Sequence, residues 1–197
     1  MSFQKLFEFE KLVAEYFNAP YAVATDCCTH ALELCLHLKK YEDITIPANT
    51  YVSIPFMLEK RGLQYSVDVV EWEQYYYITN DIIDAAVYWK KYGYVPGTKM
   101  CLSFHFKKHI NMGRGGMILL DNEEDYLRLQ KMRYDGRSIY DGVMHKDEDI
   151  SEIGFHYYMT PEMAEVGIDI FNEKKDMPNK KVTYKDYMDF RRFSYFS

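Results

Sequence analysis

The chain has 197 residues, enough for one domain with a sizeable core, and its 48% hydrophobic and 17% aromatic content excludes wholesale disorder. Its 24 basic side chains against 30 acidic ones leave a net charge of −6, with no general attraction for nucleic-acid phosphates or anionic lipid, so no nucleic-acid partner is expected. No apolar run nears the roughly 18 residues that span a bilayer, and Met1 to Glu10 lacks a cationic segment followed by an apolar one. A cytoplasmic protein without a membrane partner is expected, its Cys27, Cys28, Cys35 and Cys101 reading as free thiols because they form no Cys-x-x-Cys pair.

In chain order, Phe9, Val13 and Tyr16 with Leu6 and Phe17 beside them predict a helix that Asn18-Ala19-Pro20 stops, followed by a strand from Tyr21 to Ala24. Asp26-Cys27-Cys28-Thr29 then leads into a helix, His30 to Lys40, apolar on almost every side. Ile44 to Ile46 and Gln64 to Val70 read as strands around a helix from Tyr51 to Arg61. Tyr75-Tyr76-Tyr77 is an aromatic cluster to which the pattern assigns no purpose. Ile82-Ile83, Lys99 to Phe104 and Met117 to Leu120 read as buried strands, and Glu123 to Arg133 as a helix. Gly142 to Asp149 is a polar connector, and Thr160-Pro161 caps a last helix carrying Met163, Val166, Ile170 and Phe171. The alternation predicts an α/β fold with a mainly parallel sheet of six or more strands flanked by helices, its ligand beyond the strands' carboxyl ends. A domain over 1–172 and a basic aromatic tail over 173–197 are expected, the tail carrying seven Lys or Arg against four Asp or Glu and packing on the body or on a partner.

The stretch Ser103-Phe104-His105-Phe106-Lys107-Lys108-His109-Ile110-Asn111-Met112-Gly113-Arg114-Gly115-Gly116 leaves a predicted strand and combines adjacent lysines with loop glycines suited to close backbone approach to a ligand. A lysine desolvated there loses proton affinity and can condense with an aldehyde, and composition alone does not separate Lys107 from Lys108. His105 and His109 fall four residues apart, but the segment has no helical stripe to align them, so no metal site is expected. Cys27 or Cys28 with His30 is a weak nucleophile and base pair, because adjacency in sequence does not place a base against a thiol. Gly113-Arg114-Gly115-Gly116 lacks the Lys-Ser/Thr ending of a P-loop.

The same fourteen residues resemble the lysine loop of the DegT/DnrJ/EryC1/StrS sugar aminotransferases, in which a Ser-Phe pair, a lysine five residues after that serine and a Gly-x-Gly-Gly run recur. On that register Ser103 matches the serine and Lys108 the Schiff-base lysine. Tyr21 to Leu32 resembles the family's strand, loop and helix start, with Cys27-Cys28-Thr29 where a Ser-Gly-Thr triplet receives the cofactor phosphate; a thiol is the weaker donor. Ile82-Ile83-Asp84-Ala85-Ala86 resembles the strand and Asp-Ala-Ala whose carboxylate faces the pyridine nitrogen, and Pro47 to Tyr51 the segment with the aromatic stacked on the ring. Gly154 to Thr160 is similar to Gly-Tyr-Asn-Tyr-Arg-Met-Ser, His156 standing where an asparagine reaches the phosphate of a neighbouring subunit.

The resemblance runs from Phe7 to about Phe171 and implies a fold-type I transferase fold, reduced to its large domain with the small carboxyl-terminal domain missing. It also implies a shortened link between Val70 and Ile82, where the family inserts a further strand and helix. The implied cofactor is pyridoxal 5'-phosphate, held by Cys28, Thr29, Tyr51, Asp84, Ser103, Lys108 and His156, with Lys108 and Asp84 catalytic. The implied reaction moves an amino group from an amino acid, glutamate by analogy, to a nucleotide-linked keto-sugar, in a homodimer with shared sites. Relatives with histidine at the Schiff-base position act as sugar dehydratases, whereas here histidine follows the lysine, at His109. A non-catalytic binding or scaffold protein on the same fold is the alternative.

Overall fold

In a computed structural model the chain is described over residues 3–139 and 148–196; most of the polar connector from Gly142 to Asp149 lies outside them. Helix α1 (Gln4–Phe17) buries Leu6, Phe9, Val13 and Phe17, and ends where Asn18 turns left-handed and its amide and that of Ala19 close on Glu15 and Ala14. Strand β1 (Tyr21–Thr25), α2 (Cys28–His37), β2 (Thr45–Pro47), α3 (Ser53–Lys60) and β3 (Ser66–Asp68) follow. Then come β4 (Tyr76–Tyr77), β5 (Ile82–Asp84), β6 (Lys99–Ser103), β7 (Gly116–Leu120), α4 (Glu123–Met132) and α5 (Pro161–Lys174). Thr160 caps α5 by accepting from the Met163 amide, and Pro161 occupies the first turn, where its missing N–H costs nothing.

The main sheet has five strands in the order β1-β7-β6-β5-β4, and β2 and β3 form a separate parallel pair. The expected mainly parallel sheet of six or more strands is therefore corrected. Only β5 and β6 are parallel within it, while β7 runs against both β1 and β6, and β4 runs against β5. For β4 the reason is connection length: Tyr76–Tyr77 folds straight back onto β5 across a tight turn at 78–81, and a parallel neighbour needs a long crossover. Strands β1, β5 and β6 still point the same way, so Thr25, Asp84 and Ser103 end at one edge of the sheet.

Strand alternation splits the core into two layers. Val23, Ile82, Cys101, Ile118 and Leu120 face α2, α3 and α4, while Ala22, Ala24, Ile83, Met100, Leu102, Met117 and Leu119 face α1 and α5. β1 is an edge strand, and its outward Ala24 groups are paired by side chains: Glu10 accepts from the amide at 2.7 Å and fully buried Arg133 donates to the carbonyl at 2.8 Å. Glu10 and Arg133 are also bonded directly to each other. The tail after α5 packs on the body, its Phe190 buried and its amide donating to the Ala48 carbonyl. Among the described residues no helix is long and apolar enough to cross a membrane.

Candidate active site

Asp84 closes β5 in a buried position. Tyr76 donates its hydroxyl to Oδ2 at 2.6 Å, and the Ala86 amide donates to Oδ1 at 2.9 Å. Thr50 in turn bonds the Tyr76 oxygen. The aromatic cluster without assigned purpose thus supplies both the edge strand and the group that orients Asp84, a role no local pattern signals. Burial pushes the Asp84 carboxyl up, while the Tyr76 and Ala86 bonds and the charge of Lys108 pull it down.

The two adjacent lysines part company. Lys107 is exposed and lies 5.6 Å from the Phe106 ring. Lys108 is half-buried, its amide bonded to the His105 carbonyl in a loop closed by the Phe106 amide on Gly113 and the Phe104 amide on Gly115. Burial lowers its proton affinity below that of an ordinary lysine, against the attraction of Asp84. The two histidines diverge: His109 donates Nε2–H to the Lys174 carbonyl at 2.8 Å and stacks on Trp89, while His105 packs on Phe106.

The amino end of α2 forms a cup. Cys27 is the N-cap in extended conformation, so the amides that follow it are free of intrahelical partners and the positive end of the helix dipole faces outward. Thr29 and Ser53, the latter opening α3, bring their hydroxyls to 2.7 Å. The Cys28 thiol corrects an expectation: it is buried and turned inward onto the Cys101 carbonyl at 3.4 Å, because its position opens a helix that lies flat on β6. Only its backbone amide remains for an anion. Ser103 ends β6 half-buried, its Oγ 3.4 Å from the His105 amide.

Gly116 explains how the cup fits on the sheet. A Cβ there would stand 2.4 Å from the Cys27 carbonyl carbon and 2.5 Å from the Cys28 nitrogen, so this glycine serves approach of the cup's own backbone rather than of a ligand. Gly113 and Gly115, with φ of 89° and 146°, adopt conformations that disfavour side chains. Gly116→Ala is expected to cost at least about 1–3 kcal/mol, read from urea unfolding, by pushing the cup off β7.

Beside the cup, Asp26 accepts from His30 Nδ1 at 2.6 Å and from Arg114 Nη2 at 2.6 Å, and His30 stacks on Tyr157 at 3.7 Å. Burial works against the His30 imidazolium, but its bonds to Asp26 and Cys27 outweigh that and push its pKa up to about 9. Burial acts on Asp26 in the opposite sense to His30 and Arg114, which hold its carboxyl below the ordinary range. With Asp26 ionised, the two cations leave a net positive charge at the cup at neutral pH. Cys27 does lie beside His30, whose Nδ1 is taken by Asp26 and whose ring is stacked on Tyr157.

A folded pKa raised from 6.5 to about 9 sets the sign of a pH effect. The contribution of His30 to stability is whole below about pH 6.5, where both folded and unfolded forms are protonated, and is gone above about pH 9. Chemical denaturation of wild type between pH 6 and 10 should show this decline, and His30→Gln should flatten it.

Two expected ligand contacts are exposed to solvent. Tyr51 is 58% exposed on the loop before α3, and His156 is exposed and paired with Asp135 at 3.0 Å.

A sequence profile of the DegT/DnrJ/EryC1/StrS aminotransferase family matches residues 2–96 and 84–189. The chain belongs to this family. An uncharacterized protein of Methanocaldococcus jannaschii is 24% identical over 216 aligned positions, covering 83% of this chain and 56% of the relative. The sugar aminotransferase Spr1654 of Streptococcus pneumoniae, solved in its PLP form and described as putative, superposes with a TM-score of 0.69 at 18% identity, over 86% of this chain and 59% of that one. PseC of Helicobacter pylori, an aminotransferase involved in the biosynthesis of pseudoaminic acid, superposes with a TM-score of 0.72 at 13% identity, over 86% and 58%. The fold of this DegT/DnrJ/EryC1/StrS member is thus that of the PLP-dependent aminotransferases, and the chain spans just over half the length of these relatives.

Proposed function

We propose that the protein is a pyridoxal-phosphate-dependent aminotransferase that moves an amino group from an amino acid, glutamate by family analogy, to a nucleotide-linked keto-sugar. The observation that carries this reading is that half-buried Lys108 lies within electrostatic reach of buried Asp84 at the edge where β5 and β6 end.

The donor set suits this cofactor. A buried carboxylate with one hydroxyl and one amide already bonded has lone pairs left for a pyridinium N–H, and burial makes that cation a better partner than water. The cup beside it offers helix amides, the Thr29 and Ser53 hydroxyls and a net positive rim for a phosphate. When bound, the cofactor supplies an aldehyde that carries the amino group and a ring that withdraws electrons from the substrate carbon.

Lys108 Nζ would hold the cofactor covalently. Once displaced by the amino donor, it would take the proton from the donor's α-carbon and return it to the carbon of the cofactor, a shuttle that its lowered proton affinity favours. Asp84 would keep the ring nitrogen protonated, Tyr51 would stack on the ring, and Thr29 with Ser103 and the Cys28 amide would bind the phosphate. His156, exposed on its own chain, would serve the site of a second copy in a homodimer. The dehydratase reading loses ground because His109 is committed to the Lys174 carbonyl.

Borohydride reduction of protein mixed with pyridoxal phosphate, followed by peptide mass mapping, tests the reading. Label on Lys108 is the expected result; label on Lys107, or none, overturns it. A non-catalytic binding protein on the same fold would take the label on Lys108 yet exchange no amino group with glutamate.

A further inference from the structure

The three candidate cofactor-site residues come from separate parts of the chain: Lys108 on the loop after β6, Asp84 at the end of β5 where its turn begins, and Tyr51 on the segment after β2. One stretch of chain is bonded to all of them. At its start the Lys174 carbonyl accepts from His109 at 2.8 Å and the Lys174 ammonium donates to Asn111 at 3.1 Å, both on the Lys108 loop. Next, the Lys175 carbonyl accepts from Trp89 at 2.9 Å, and Asn179 donates to the Val87 carbonyl at 3.1 Å, three residues beyond Asp84.

The stretch then follows the segment before β4. The Gln74 amide donates to the Val182 carbonyl, and the Tyr184 amide to the Trp72 carbonyl. Finally Asn49, two residues before Tyr51, donates to the Tyr187 carbonyl at 2.7 Å, and the Phe190 amide donates to the Ala48 carbonyl. Both ends are anchored in the core, through Phe171 on α5 and through fully buried Phe190. Near its far end the Tyr187 ring packs 5.5 Å from Trp72, which lies 5.2 Å from Tyr76, the residue that orients Asp84.

We propose that the segment 174–190 is a strap that couples these three loops, so that they order and open as one unit instead of separately. A segment pinned at both ends and bonded every few residues between them transmits the release of any one contact to the others, because slack gained at one bond loosens its neighbours. Asn49 and Asn179 are then positioning residues, acting through the backbone of the loops. The consequence for catalysis rests on the reading of Lys108, Asp84 and Tyr51 as one cofactor site; the coupling itself does not.

Amide hydrogen exchange tests it on the full chain. The hydrogen-bonded amides of Ala48, Ala86 and Lys108 report on the three loops. Asn179→Ala should speed exchange about fivefold, the worth of one hydrogen bond, at Ala48 and Lys108 as well as at Ala86, and Asn49→Ala should do the same at Ala86 and Lys108. Acceleration confined to the loop whose own bond is cut overturns the proposal. Wild type supplies a second measurement should a variant fail to fold: in sub-denaturing urea the three amides should show one shared opening free energy, and three separate ones overturn the strap. Shared opening without cofactor capture would leave the strap standing and remove the aminotransferase reading; capture at Lys108 with independent opening would do the reverse.

Discussion

Lys108→Ala should reduce amino transfer from glutamate to the cofactor by at least about 10²–10⁴-fold, the range for losing a positioned proton-transfer group, and should abolish borohydride trapping. The residue fits this role through its surroundings. Burial holds its proton affinity down, so a larger fraction of the amine is neutral at working pH than in a solvated lysine. Lys107→Ala is the control: an exposed side chain lying by the Phe106 ring should alter the rate by no more than about twofold. Single-turnover absorbance with glutamate separates the two. Equal losses in both variants would mean that the loop, and not one amine, is what the reaction needs.

Glu10→Ala should destabilise the fold by about 3–5 kcal/mol, read from urea unfolding, because it leaves fully buried Arg133 without a counter-charge. The loss is aggravated at the sheet's open edge, where Glu10 also accepts from the Ala24 amide. Arg133 Nε and Nη2 already have no partner among the described residues, so nothing nearby can take over. Glu10→Gln keeps an acceptor for Ala24 and Arg133 and should lose less. If both variants unfold at the wild-type midpoint, the pair is not what closes the edge of β1.

Much of the layering was legible in the chain itself. The stripe of Phe9, Val13 and Tyr16, with Leu6 and Phe17 beside it, identifies α1, and the apolar runs within Lys99 to Phe104 and Met117 to Leu120 identify buried strands. Strand direction was not legible, since an apolar run reads the same whichever way its neighbour points. β4 escaped for a different reason: two residues are too few to show a period. Within the candidate site, Lys108, Asp84 and Thr29 stand out through motif resemblance, whereas Tyr76, Ser53, His30 and Arg114 belong to it only through contacts between distant segments.

The sequence by itself determined the α/β class, the order of the helices and of every strand but β4, and the family to which the lysine loop, the Asp-Ala-Ala turn and the start of α2 point, because periodicity and motif spacing are local properties of the chain. The tertiary structure alone decided which of two adjacent lysines is desolvated, that the Cys28 thiol turns away from the cup while Gly116 makes room for its backbone, and that a distant carboxyl-terminal segment is bonded to all three loops. Burial, and the proton affinity that follows from it, is set by what packs around a side chain, and those neighbours are assigned only when the chain closes on itself.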